Sequence, residues 1–273
     1  MNNLEIISVV NDFDCYERTI KSNQFMNKYN LHIFDNSKEN LGIAARYNFF
    51  IKNQILTNKI KDSWLVFCHQ DFGFLQDPLE ILTKQNKNCI YGPTGAAKKK
   101  PSLGFNWKRK FPFYFYVKYR VKRLGKIKQG FHSKKYFTLN EEYNKSNIGG
   151  QFFYKGNELF KIGDELFYYV HTHNFLNQPS AVDTLDCCCI IIHSSLLTKY
   201  NLLFDEKFTF HLYGEDFSLA AKYNHNITTK ALQFDCFHRG EGNMNNLFKS
   251  DLEFMKQKYS GRKFVGTCFR CDW

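Results

Sequence analysis

The chain is 273 residues long, enough for one large domain with an elaborated loop and for a sizeable buried core. Lys and Arg number 38 against 26 Asp and Glu, a net charge of +12, yet 14 of the basic residues and no acidic one fall within residues 98–135, leaving the rest at 24 against 26, or −2. With 43% apolar and 18% aromatic residues the chain is not broadly disordered, and no apolar run approaches the roughly 18–20 residues of a membrane-spanning helix.

Residues 4–10 (LEIISVV) are a β-branched run that stops at Asn11-Asp12 and predict a buried strand opening into a loop. Residues 15–29 have helix-compatible composition, and residues 31–34 predict a second strand stopped by Asp35-Asn36-Ser37. Ile43, Tyr47, Ile51 and Ile55 recur every four residues, the stripe of a helix buried on one face. Residues 64–68 (WLVFC) predict a third strand ending at His69-Gln70-Asp71. A helix near 78–85 and a strand at 89–91 complete a β-α-β-α-β-α-β series. Such alternation predicts an α/β fold with a mostly parallel sheet, helices on both faces and right-handed crossovers. Ligands then sit beyond the carboxyl ends of the strands. Three consecutive strands deliver Asn11-Asp12, Asp35-Asn36 and His69-Gln70-Asp71 to that edge, although Asp and Asn are also ordinary turn and cap residues.

After residue 98 the alternation stops. Residues 98–135 read as a loop-rich basic and aromatic insertion within a single domain spanning 1–273. Residues 149–167 suggest one or two hairpins, 187–193 a buried strand, 214–223 a helix and 228–234 a strand. Residues 239–273 form a C-terminal helix, at 247–259, and a tail without clear period. Nine cysteines, three of them consecutive at Cys187, Cys188 and Cys189, do not make a disulfide framework, because neighbouring strand residues face opposite ways. Reduced thiols, together with a start (Met1-Asn2-Asn3-Leu4-Glu5) that lacks a secretory pattern, predict a cytoplasmic protein.

Four constellations could carry chemistry. Asp71, at a strand tip beside His69 and Gln70, could hold Mg²⁺ or Mn²⁺ against a diphosphate, or cap a turn. Glu215-Asp216 open a predicted helix, where acids suit the helix dipole; alternatively one carboxylate faces the sheet edge as a general base. Adjacent helical residues point about 100° apart, so only one can do so. His238 follows a strand and precedes a Gly-rich loop, fitting a metal or diphosphate contact, whereas Cys236, His238, Cys268 and Cys271 could instead bind structural zinc. The basic stretch interleaves Lys and Arg with Phe105, Trp107, Phe111, Phe113 and Tyr114, ingredients for an anionic membrane surface, a charged acceptor, single-stranded nucleic acid or a solvated loop. No dinucleotide, P-loop, nucleophile-elbow or zincin motif is present.

In order, these residues (Asn11-Asp12, Asp35-Asn36-Ser37, Gly42-Ile-Ala-Ala-Arg-Tyr-Asn48, His69-Gln-Asp71, Asp183 to Asp186, the stretch from Phe204 to Asp216, and His238) resemble the family 2-like bacterial glycosyltransferases with a GT-A fold, in the subgroup with HQD in place of DxD. The resemblance implies an inverting transfer from a nucleotide-sugar donor, UDP-linked by default, to a hydroxyl of a bacterial surface glycan or lipid-linked acceptor. It implies that Asn11, Asp12 and Asp35 hold the nucleotide, that Arg46 approaches the diphosphate and that Asp186 lies near the donor sugar or acceptor. Asp71 and His238 would hold the divalent metal, Mn²⁺ or Mg²⁺, and Asp216 would be the general base with Glu215 as substitute. His69 stands where the first DxD acid would, which implies weaker metal dependence or none. Such an enzyme is expected in the cytoplasm, peripheral on the inner face of the cell membrane through 98–135. A nucleotidyltransferase on a similar sheet lacks its Gly-rich phosphate loop, and a nucleic-acid-binding module leaves the strand-end acids unexplained.

Overall fold

The computed structural model describes residues 3–39, 41–97, 147–152, 159–162, 165–173, 179–239, 246–267 and 270–271. The chain divides into two compact units, Met1–Lys98 with Asn147–Trp273, and Lys99–Ser146. The second unit, and with it the basic stretch expected at 98–135, lies outside the described residues.

The first unit opens with β1 (Asn3–Val10), α1 (Phe13–Tyr16) continued as a π turn over Glu17–Lys21, β2 (Asn30–Asp35), and α2 (Ile43–Phe50) continued as a π turn over Ile51–Ile55. β3 (Ser63–His69), β4 (Phe72–Phe74), α3 (Pro78–Leu82), β5 (Cys89–Gly92) and β6 (Thr94–Ala96) follow. It resumes with β7 (Asn147–Phe152), β8 (Leu159–Ile162), β9 (Glu165–His173), β10 (Ser180–Val182), β11 (Thr184–Leu185) and β12 (Cys189–His193). Then come α4 (Ser194–Tyr200), α5 (Tyr213–His225), β13 (Thr228–Ala231), β14 (Cys236–His238), α6 (Asn246–Lys258), β15 (Phe264–Val265) and β16 (Arg270–Cys271).

The central sheet has seven strands in the order β10-β13-β5-β12-β3-β1-β2. β1, β2, β3, β5 and β13 run one way while β12 and β10 run against them, so the sheet is mostly parallel and flanked by helices, as the alternation predicts. Its pleat sorts the apolar runs into two cores. Leu65 and Phe67 of β3, with Ile190 and Ile192 of β12, face α2, α5 and α6; Trp64, Val66 and Cys68, with Cys189 and Ile191, face α1, β4 and α3. Burial on both faces is why these strands read as unbroken apolar runs rather than alternating ones.

Two local features differ from expectation. The helix anticipated over 15–29 ends at Lys21, and Asn23 then closes a turn, its Oδ1 accepting from Phe25 N at 2.9 Å and its Nδ2 donating to the Phe74 carbonyl at 2.9 Å. Met26 is buried in the core from that turn, with Phe25 and Tyr29 packed against it, so the segment buries its apolar side chains without a helix. A second, antiparallel sheet, β11-β6-β7-β9-β14-β4 with β8 on β9, has strands of two or three residues at several positions, too short to register as a period. This second sheet places His238.

Candidate functional site

β3 carries His69 to the carboxyl edge of the sheet, where it is the last residue in register with β1, opposite Val9. Its N–H donates to the Cys188 carbonyl at 3.0 Å, which holds the start of β12 at that same edge. The chain then passes Gln70-Asp71 and turns into β4, whose antiparallel partner β14 sets His238 opposite Phe72. Asp71 therefore lies beside His238, Oδ1 to Nε2 at 3.1 Å, and His69 Nδ1 is 3.2 Å from the same nitrogen. One ligand atom from each of His69, Asp71 and His238 lies within 4.8 Å of the others, a spacing that could hold a metal ion. The resemblance pairs Asp71 with His238; the structure adds His69.

The charges in this cluster compensate one another. Burial pushes the Asp71 carboxyl up, but the His238 ring, by charge and hydrogen bond, and then His69 hold it well below its ordinary value. Burial opposes a charged His238, and Asp71 overcomes this to raise its pKa. His69, half-buried and next to His238, is pushed down to about 4 and is neutral at pH 7. Its tautomer follows from the hydrogen bonds. Tyr213 Oη donates its single proton to the Cys187 carbonyl at 2.9 Å, so at 2.8 Å it accepts from His69 Nε2–H. The Nδ1 lone pair is thereby left facing Asp71 and His238.

Tyr213 is positioned by the turn that opens α5. Leu212 sits at φ +59°, a left-handed conformation that is rare for a bulky residue and costs about 1–2 kcal/mol. Gly214 then lets the helix close on Cys187. A Cβ there would lie 3.0 Å from Cys187 Cα, and the Gly214 N–H donates to Cys187 Sγ at 3.2 Å.

The adjacent acids of α5 diverge. Glu215 is buried toward the sheet edge, its Oε2 accepting from Cys187 Sγ at 3.2 Å and its Oε1 from Thr267 Oγ1 at 2.6 Å. Burial, then the charge of Asp186, raises it to about 7, with the Thr267 and Cys187 hydrogen bonds opposing. Asp216 turns the other way, to α6. Its Oδ1 accepts from Tyr259 Oη at 2.8 Å and pairs with Lys258 Nζ at 2.7 Å, and Lys258 also grips Asp205 at 2.7 Å. Burial still leaves Asp216 raised despite Lys258 and Tyr259. Asp216 and Asp71 thus engage different neighbours, and the carboxylate of α5 that interacts with Cys187 and Asp186 is Glu215.

The remaining candidates line the same edge. Asp186, nearly buried, accepts from Cys188 N at 2.9 Å and lies close enough to act electrostatically on Glu215, His69 and His238. Asn11 and Asp12 follow β1. The Asp12 carboxylate caps α1 by accepting from Cys15 N at 2.9 Å, so it also does the ordinary cap work that the sequence allows. Asp35 and Arg46 stand at the end of β2, with β1 between them and β3; Asp35 accepts from Ser37 Oγ at 2.6 Å, and Arg46 reaches the Asp35 carbonyl at 3.1 Å and Asn36 Oδ1 at 3.4 Å. Cys236 is buried on β14, while Cys268 and the side chain of Cys271 lie outside the described residues, as does the zinc grouping that needs them. Among the described residues no helix is long and apolar enough to cross a membrane. Neither a family model nor a curated protein matches this sequence.

Proposed function

We propose that the chain is an inverting glycosyltransferase of GT-A type that moves a sugar from a nucleotide-sugar donor to a hydroxyl of a glycan or lipid-linked acceptor. The observation that carries this proposal is the meeting of His69, Asp71 and His238 at the carboxyl edge of the sheet, from elements far apart in sequence, with Asp186 close enough to act electrostatically on both histidines and on Glu215. A nucleotide-sugar needs its base and ribose gripped, its diphosphate neutralised and its anomeric carbon exposed to a deprotonated hydroxyl. The strand-end loops at Asn11-Asp12 and Asp35, with Arg46, offer the first; the His69–Asp71–His238 cluster offers the second.

Two imidazole nitrogens and a carboxylate oxygen within 4.8 Å fit Mn²⁺ better than Mg²⁺, which prefers an all-oxygen shell. A metal held there supplies positive charge to the departing diphosphate. Glu215 takes the role of base in place of Asp216, which is committed to Lys258. With its pKa near 7, Glu215 is ionised often enough at neutral pH to act, and a positioned base contributes roughly 10²–10⁴-fold. The acceptor oxygen bonds to the anomeric carbon as its proton passes to the Glu215 carboxylate. The bond from that carbon to the phosphate oxygen breaks, and the nucleoside diphosphate leaves with the electron pair. Thr267 Oγ1, 2.6 Å from Glu215, occupies the place of an acceptor hydroxyl and has to yield to it. The 98–135 stretch serves as the contact for an anionic membrane or acceptor, each basic residue near the surface worth about 1 kcal/mol.

The test is a panel of nucleotide sugars with Mn²⁺, read as released nucleoside diphosphate with and without glycan acceptors. Release with one donor supports the proposal; silence across the panel, with no nucleoside diphosphate raising the melting temperature, removes it.

A further inference from the structure

β1 and β3 are paired only as far as Val9 and His69. Beyond that point no backbone ladder ties the Asn11-Asp12 loop to the His69-Gln70-Asp71 turn, and the Gln70 side chain takes over. Its Oε1 accepts from Asn11 N at 2.8 Å and from Asp12 N at 3.0 Å, standing where a strand carbonyl would be. Its Nε2 donates to Asn11 Oδ1 at 2.7 Å. The Thr19 hydroxyl, in the π turn that follows α1, lies between the Gln70 and Cys15 carbonyls and can donate its one proton to either. A shorter Asn lacks the reach, and an aliphatic residue would leave two consecutive N–H groups to water.

We propose that Gln70 is a positioning residue joining the two halves of the ligand site: it holds the Asn11-Asp12 loop against the His69–Asp71–His238 cluster, so that a nucleoside gripped by the loop presents its diphosphate to the cluster. This assignment rests on the nucleotide-sugar function proposed above. It makes Gln70 a determinant of how nucleotide and metal binding are coupled, without contact between Gln70 and the reacting atoms.

The experiment has two arms. In the first, amide hydrogen exchange at Asn11 and Asp12 is compared in the wild type and Gln70→Ala without ligand; both amides lose protection in the variant while the β1 amides keep theirs. In the second, binding is measured for Mn²⁺ alone and for UDP, GDP, CDP and ADP with Mn²⁺. Gln70→Ala weakens the best nucleotide about tenfold, the equivalent of one to two hydrogen bonds, and changes Mn²⁺ alone less than about twofold. Gln70→Glu keeps the acceptor, and Asn11 can turn its amide to donate, so this variant binds close to wild type. Paired with Asn11→Asp it sets two carboxylates together and loses more than the two single changes combined. Unchanged exchange at Asn11 and Asp12 overturns the inference whatever the nucleotide result. A nucleotide that binds the wild type and Gln70→Ala equally overturns the inference and leaves the proposed function standing, whereas no binding to the wild type removes both.

Discussion

His69 and Tyr213 are joined by a hydrogen bond of 2.8 Å between elements 144 residues apart, and its direction is fixed because Tyr213 spends its only proton on the Cys187 carbonyl. One phenol therefore sets an imidazole tautomer on β3, anchors the start of β12 and locates the first turn of α5. Tyr213→Phe keeps the ring but leaves the His69 N–H and the Cys187 carbonyl without that partner. Unfolding free energy should fall by about 1–3 kcal/mol. Manganese affinity should fall roughly 10–100-fold, because the ring is then free to choose the other tautomer. Calorimetric titration of Mn²⁺ checks this; an unaltered affinity would take Tyr213 out of the site.

The metal cluster itself is tested one ligand at a time. With Mn²⁺ at a hundred times its dissociation constant, binding should stabilise the fold by about 2.7 kcal/mol and raise the melting temperature by several degrees. A chelator should reverse the rise. Asp71→Asn and His238→Ala should abolish it, and His69→Ala should weaken it, since each offers one of the three atoms that could hold the ion. A full response in His69→Ala would reduce the cluster to the pair expected from sequence.

Glu215 and Asp216 can be separated by what each loss costs. Glu215→Gln should lower turnover by roughly 10²–10⁴-fold with little change in melting temperature. Asp216→Asn should do the reverse. It leaves Lys258 facing Asp205 alone and weakens the Tyr259 contact, at a cost of about 2 kcal/mol, with turnover reduced only modestly. Asp216→Asn with normal stability and no activity would return the role of base to Asp216.

The contrast between these two acids marks how far the sequence could be read. The central strands were legible because each is buried on both faces and bounded by polar residues, as Trp64 to Cys68 before His69 illustrates. The helix at Ile43 to Ile55 was legible from its four-residue stripe. Which of two adjacent acids faces the sheet edge depends on the phase at which α5 starts, and that phase is set by Leu212 at positive φ and by Gly214 packing on Cys187, neither of which leaves a periodic trace. His238 was legible as a candidate, but its approach to Asp71 depends on the three-residue ladder between β4 and β14. Tyr213 and Gln70 act through hydrogen bonds across 144 and 59 residues, and single polar side chains in such roles carry no spacing signal.

The pH dependence of Glu215 offers the last test. Its folded pKa of about 7 lies above the ordinary 4.5, so the folded state keeps a proton that the unfolded chain releases. Its contribution to stability is therefore fully present below about 4.5 and is lost as pH rises through about 7. The ratio kcat/KM should move oppositely, rising with pH as the carboxylate ionises, with a midpoint near 7. Thr267→Val separates this from other titrations. The Thr267 hydroxyl donates to Oε1 and favours the ionised form, so its removal should push the midpoint higher, while Glu215→Gln should abolish that limb of the profile. The ratio kcat/KM, which reports the free enzyme in which Thr267 still bonds Glu215, is measured from pH 5 to 9 in the three proteins: a midpoint that does not respond to Thr267→Val would mean that the rate reports a different group.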